Sequence, residues 1–122
     1  ANTVDVIISK RDEDAKKLIL QIVEYVNNNY GEDIKLSTLS QKYYFNLEYI
    51  SRIFKRETGM NFSDYLREIR MKKALEFLKR ENLKIADIAS MLCYNDEHYF
   101  SKVFKEYYNY TPSQYRKLLY KI

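Results

Sequence analysis

One short phrase of this chain returns fifty residues after it first appears. Tyr49, Ser51, Phe54, Lys55, Ser63 and Tyr65 are answered by Tyr99, Ser101, Phe104, Lys105, Ser113 and Tyr115. That makes six identities in the 17 positions 49–65, with Arg52/Lys102 and Ile53/Val103 as near matches. Upstream the offset drops to 49, pairing Leu36 with Ile85 and Leu39 with Ile88, so the second copy carries one extra residue in its turn. Repetition at this period implies one supersecondary unit built twice. In 122 residues the outcome is one small domain, or two very small ones that share an element.

The repeated unit reads as helical. Chain breakers are scarce (Gly 2, Pro 1), which disfavours a turn-rich β fold. Ala15, Leu18, Ile19, Ile22, Val23 and Val26 recur at helical spacing and predict a helix over about 14–29, stopped by Gly31. A short helix at 36–43 turns inward Leu36 and Leu39, and a "YFN" turn leads to a helix at about 47–58 that ends at Gly59. The longest helix is expected at 61–80, with Asn61 as its N-cap. The pattern then repeats as 85–92, a turn at "CYN", a helix at about 96–108, and a last helix from Pro112. Thr111, Pro112 and Gln114 supply an N-cap, a first-turn proline and a capping-box partner. Lys35 and Lys84 are poor caps for the two short helices, which packing has to hold. Residues 1–13 read as a linker or tail, with "VDVII" as a short strand candidate. The expectation is an all-α fold of about seven helices, with helix-turn-helix subdomains at 14–60 and 81–122 joined by a linking helix at 61–80.

That linking helix changes face along its length. Phe62, Tyr65, Leu66 and Ile69 cluster on one side, and Met71, Ala74, Leu75 and Leu78 roughly opposite. A surface helix in a single core keeps one stripe throughout, so this one is expected to serve two small cores in turn. About 20 residues at ~1.5 Å each make a rod of ~30 Å, close to the ~34 Å between successive major grooves on one face of DNA.

Charge and the outward faces agree with a polyanionic partner. Residues 1–34 hold four basic and seven acidic side chains, leaving 17 basic and 10 acidic in the remainder, a net +7 on the repeated part. In the first unit Ile50, Ile53 and Phe54 are expected to face inward, with Glu48, Ser51, Arg52 and Lys55 as an outward stripe. In the second, Phe100, Val103, Phe104 and Tyr107 face inward, while Glu97, His98, Ser101, Lys102 and Lys105 face out. Equivalent stripes with different residues suit two different DNA sequences.

The elements "YISRIFKRETGMNFSDYLREIRMKKA" and "IADIASMLCYNDEHYFSKVFKEYYNYTPSQYR" resemble the DNA-binding domain of AraC/XylS-family transcription regulators, over about residues 15–118. That resemblance implies base reading by Glu48, Ser51, Arg52, Glu97, His98, Ser101 and Lys102. It implies an output domain C-terminal to a ligand-sensing or receiver domain, with double-stranded DNA and RNA polymerase as partners. Tyr49, Lys55, Tyr99, Lys105 and Arg116 are expected at phosphates. Two positions depart from the family pattern. Cys93 stands where the second turn usually has glycine, and Asn109 where glycine usually follows the second recognition helix. Asn tolerates a left-handed backbone, whereas cysteine in one is strained by about 1 kcal/mol.

Other readings of the same residues are plainer. A solvated helix face accounts for an exposed Arg or Lys, and an acidic residue in a first helical turn complements the helix dipole. A basic helical module docking on an acidic protein or a membrane surface is the alternative function. His98 and Cys93 supply neither a catalytic dyad with its oxyanion site nor a metal ligand set, so no enzyme activity, metal or cofactor is expected. One cysteine precludes an internal disulfide and fits a reducing compartment. No apolar run or signal peptide indicates a membrane. A chain opening on Ala1 reads as an excised fragment, and the resemblance implies a cytoplasmic bacterial protein.

Overall fold

The computed structural model describes the backbone of residues 3–120 and the side chains of residues 10–120. Residues 1–2 of the expected tail and 121–122 of the expected second subdomain lie outside the described residues. Seven helices occur among the described residues: α1 (Thr3–Asn29), α2 (Leu36–Lys42), α3 (Leu47–Thr58), α4 (Phe62–Leu78), α5 (Ile85–Met91), α6 (Glu97–Tyr108) and α7 (Pro112–Leu119). They fold as two compact units. One comprises the chain up to Asn29 together with Ile34–Leu66; the other comprises Tyr30–Asp33 and the chain from Arg67 onward.

In the first unit the α1 stripe Ala15, Leu18, Ile19, Ile22 and Val26 is buried with Leu36, Ile50, Ile53, Phe54, Phe62 and Leu66. In the second, Met71, Ala74 and Leu78 of α4 are buried with Ile88, Ala89, Leu92, Phe100, Val103 and Phe104. The two faces of the long helix therefore do enter two cores. The repeat explains its own aromatic identities. Tyr65 stands edge-on to Phe54 at 5.4 Å and 83°, and Tyr115 edge-on to Phe104 at 5.8 Å and 76°.

Helix ends follow the expected capping chemistry. Asn46 accepts from the Tyr49 N–H at 3.1 Å and Asp96 from the His98 N–H at 2.9 Å. Asn61 accepts from the Asp64 N–H at 2.9 Å. Thr111 and Gln114 form both halves of a capping box, at 3.2 and 2.9 Å. Lys35 caps nothing with its side chain. Lysine has no acceptor, so α5 has only the return half of a box, Asp87 accepting from the Lys84 N–H at 3.1 Å.

Both turns between short and long helix are the same left-handed closure. Tyr44 has φ +63° and Cys93 φ +66°. Around Tyr44, the Phe45 N–H reaches Ser40 O at 2.9 Å and the Tyr44 N–H reaches Gln41 O at 3.2 Å. Around Cys93, the Tyr94 N–H reaches Ala89 O at 2.9 Å and the Cys93 N–H reaches Ser90 O at 3.1 Å. Each is a Schellman motif, which needs a positive φ at its pivot. The extra residue of the second copy falls after it: Phe45 precedes its N-cap Asn46 directly, whereas Asn95 intervenes between Tyr94 and Asp96. α3 and α6 also end alike, on Gly59 at φ +80° and Asn109 at φ +69°.

Three expectations need correction. The helix begins at Thr3, not Asp14, so the stretch expected as linker is helical and "VDVII" is not a strand. Strand propensity is a weak prior, and extending a formed helix needs no new nucleus. Leu39 is only half-buried; its neighbour Ser40 is buried instead, its hydroxyl donating to Ser37 O at 3.0 Å. Tyr107 is exposed, not inward. Phe104 instead packs on Tyr108, ring centroids 4.9 Å apart, because α7 brings Tyr115 against the same ring. Gly31 does more than stop a helix, since a Cβ there would lie 2.5 Å from Met91 O.

These backbones predict a stability series. Tyr44→Gly and Cys93→Gly each raise the thermal midpoint, by the equivalent of about 0.5–1 kcal/mol, by relieving the left-handed strain. Gly31→Ala lowers it by about 1–3 kcal/mol through steric overlap, more than Gly59→Ala, where nothing lies within 4 Å of the new Cβ and only the positive φ resists. Calorimetry of the four variants checks the order.

Candidate nucleic-acid interface

α3 and α6 each bury one face and leave the opposite face polar. Ile50, Ile53 and Phe54 are buried in α3, while Glu48, Ser51, Arg52 and Lys55 are exposed. In α6, Phe100, Val103 and Phe104 are buried, and Glu97, His98, Lys102 and Lys105 are exposed. Ser101 is half-buried, unlike its counterpart Ser51, and sits at the edge of its stripe. At 3.6 residues per turn, positions 48, 51, 52 and 55 share one face, as do 98, 101, 102 and 105. The spacing that builds each core therefore also assembles each outward stripe. Glu48 and Glu97 lie in first turns, where the helix dipole favours them whether or not a base is read.

The expected phosphate residues divide. Lys55 and Lys105 are exposed near the ends of their helices, and Tyr99 is half exposed. Tyr49 is engaged otherwise: its hydroxyl donates to Asp12 Oδ1 at 2.6 Å. That hydrogen bond, followed by partial burial, pushes the phenol above its ordinary pKa. A carboxylate at this position disfavours a phosphate oxygen beside it.

Arg116 is also engaged. Its guanidinium donates to Leu78 O at 3.1 Å, Arg80 O at 3.0 Å and Leu83 O at 2.6 Å, and the Tyr120 hydroxyl donates to Lys79 O. These carbonyls lie at and beyond the C-terminus of α4, which has no glycine to close it. Arg116, expected at a phosphate, thus has its guanidinium engaged with the carbonyls that end α4. Arg70 holds the other inter-helix loop in the same way, donating to Tyr30 O and Glu32 O, each at 2.8 Å.

Two residues beside α3 lie outside the expected site, Arg11 and Asp12, both in the stretch expected as linker. The Arg11 guanidinium lies over the Tyr49 and Phe45 rings, 5.4 and 5.8 Å from their centroids. One signal was available, because Asp12 falls three residues before Ala15 on the buried stripe of α1. Among the described residues, no cluster of three or more His, Cys, Asp or Glu side chains has metal-binding geometry, and no helix is long and apolar enough to cross a membrane.

A family described as a helix-turn-helix domain matches residues 39–118. The Msm operon regulatory protein of Streptococcus mutans is 26% identical over 110 residues, covering 90% of this chain and 40% of that protein. The C-terminal domain of AraT, a response regulator from Geobacillus stearothermophilus, has a TM-score of 0.77 at 33% identity, covering 83% of this chain and 84% of that one. The C-terminal domain of the two-component response regulator YesN from Fusobacterium nucleatum has a TM-score of 0.72 at 40% identity, covering 84% and 98%. The chain spans 40% or less of the length of these curated relatives.

Because Arg116 holds the end of α4, Arg116→Ala lowers unfolding stability by about 1.5–3 kcal/mol, the range for hydrogen bonds to charged groups. Arg116→Lys recovers less than half of that, since one ammonium cannot meet three divergent carbonyls. Urea titration of both variants reads the difference, and an alanine variant as stable as the parent would return Arg116 to the surface.

Proposed function

Because the chain belongs to the AraC-type helix-turn-helix family, we propose that it is the DNA-binding output domain of a bacterial transcription regulator, reading successive major grooves of double-stranded DNA with α3 and α6. The observation that carries this is the pair of matched helices, each with a buried apolar face, a polar outward face and a short helix before a left-handed turn. A helix-turn-helix offers such a face to base edges. The base readers are Glu48, Ser51 and Arg52 on α3, and Glu97, His98, Ser101 and Lys102 on α6. Arg52 is suited to guanine O6 and N7. Lys55, Lys105 and Tyr99 contact phosphates. The two faces differ in sequence, so the site need not be palindromic.

Relatives more than twice as long, and two similar structures that are C-terminal domains of response regulators, favour a receiver or sensor domain preceding this one. A regulator of this kind works in the cytoplasm, with RNA polymerase as its partner beside the DNA. The regulatory reading needs no catalytic residue.

Selection from random duplexes, followed by mobility shifts at two salt concentrations, tests the reading. Affinity for the selected duplex falls steeply with salt while its preference over a scrambled duplex persists. Arg52→Ala costs about 1–3 kcal/mol and relaxes preference at one base pair, whereas Lys55→Ala weakens every duplex alike. Selection that yields no preferred sequence, with binding to acidic protein or anionic vesicles instead, refutes it.

A further inference from the structure

The first residues of α1 have no counterpart in the second unit. In both units six residues separate the long helix from the short one, 30–35 and 79–84. Aligned on those ends, the 17 residues of α4 match residues 13–29 of the 27-residue α1. The surplus of α1 runs from Thr3 to Asp12, and its last two residues meet the start of α3. Asp12 accepts from the Tyr49 hydroxyl at 2.6 Å, and Arg11 covers the Tyr49 ring at 5.4 Å. Tyr49 in turn stacks on Phe45, centroids 6.3 Å apart and planes 19° apart. The guanidinium of Arg52 lies 5.9 Å from the centroid of this same Tyr49 ring.

The second unit lacks this arrangement. Tyr99 takes the place of Tyr49 and Lys102 that of Arg52. The Tyr99 ring is half exposed and tilted against Tyr94 at 6.0 Å, and among the described residues its hydroxyl has no anchoring carboxylate.

We propose that Asp12 is a positioning residue for base reading by α3: through the Tyr49 hydroxyl it fixes the ring on which Arg52 rests. The proposal builds on the reading of α3 as a recognition helix. A carboxylate is repelled by the DNA backbone, so Asp12 serves recognition indirectly. Arginine has more rotamer freedom to lose than most side chains. A guanidinium already held against an anchored aromatic face gives up less of that freedom when it meets a guanine edge. The surplus of α1 thus sharpens the specificity of one recognition helix and leaves the other untouched.

The test uses the chain as it stands, with the duplex that it selects from random DNA and single-base variants of that duplex as probes. Tyr49→Phe keeps the ring and the net charge while removing the hydroxyl; Asp12→Asn removes the charge of the acceptor. Each is expected to lose about two- to tenfold of the discrimination at the base pair that Arg52→Ala relaxes, with discrimination at other positions unchanged. The double variant loses no more than Tyr49→Phe alone, because Tyr49→Phe already removes the contact that Asp12→Asn only weakens. Asp12→Asn also tightens binding to every duplex, which leaves the discrimination ratio unaffected. Thermal melts confirm that each variant is folded at the assay temperature. Retained discrimination at that base pair, a uniform loss at all positions, or additive losses would overturn the proposal. If Arg52→Ala itself weakens every duplex equally, the assignment of Arg52 as a base reader has failed and the proposal falls with it. If Arg52→Ala is position-specific and Tyr49→Phe is not, only the positioning role falls.

Discussion

Each unit depends on one buried phenylalanine, Phe54 in α3 and Phe104 in α6, both fully enclosed. A helix of twelve residues is marginal in water alone, so these two persist only while their rings are surrounded. Burying such a ring contributes about 2–3 kcal/mol, and truncating one leaves a cavity that costs about 3–5 kcal/mol. In both units the tyrosine eleven residues later closes the ring edge-on. The first turn of the following helix is thereby tied to the recognition helix before it. With the inner face so constrained, the outer face can vary without changing the fold.

The second constraint is the left-handed turn ahead of each recognition helix. Neither unit uses glycine there: the first has Tyr44, almost fully exposed, and the second has Cys93. Both form the same pair of closing hydrogen bonds, so the packing on either side over-determines the turn against a local cost. Arginines secure the other connections. Arg70 and Arg116 each bring a planar fork to carbonyls of the loop that follows a long helix. Both contacts span more than thirty residues.

Much of this was legible in order along the chain. The paired units, the two-faced α4, the inward Ile50, Ile53, Phe54, Phe100, Val103 and Phe104, and the caps at Asn61 and Thr111 all follow from spacing and local hydrogen bonding. These are short-range rules, and they act within a turn or two of helix. Tyr107 and Tyr108 show where they stop. Either fits a helical stripe, and the approach of α7 selects Tyr108. Arg116 shows a different limit, because an arginine on an amphipathic helix looks the same whether it meets a phosphate or a distant carbonyl. The α1 start was misread because "VDVII" is rich in β-branched residues, while the contacts of Arg11 and Asp12 lie more than thirty residues away in sequence.

The sequence by itself determined that there are two helix-turn-helix units, where their helices run after residue 14, and which stripes of α3 and α6 turn outward. Those outcomes rest on periodicity and capping, which are written locally. Only the tertiary structure decided which polar side chains on and around those stripes are already engaged. It tied Tyr49 to Asp12, set Arg11 over the Tyr49 ring, gave Arg116 to the end of α4 and left Lys55, Lys102 and Lys105 exposed. The physical reason is that hydrogen bonds and cation–π contacts take whatever partner the folded chain brings within reach, and no spacing rule encodes a partner more than thirty residues away.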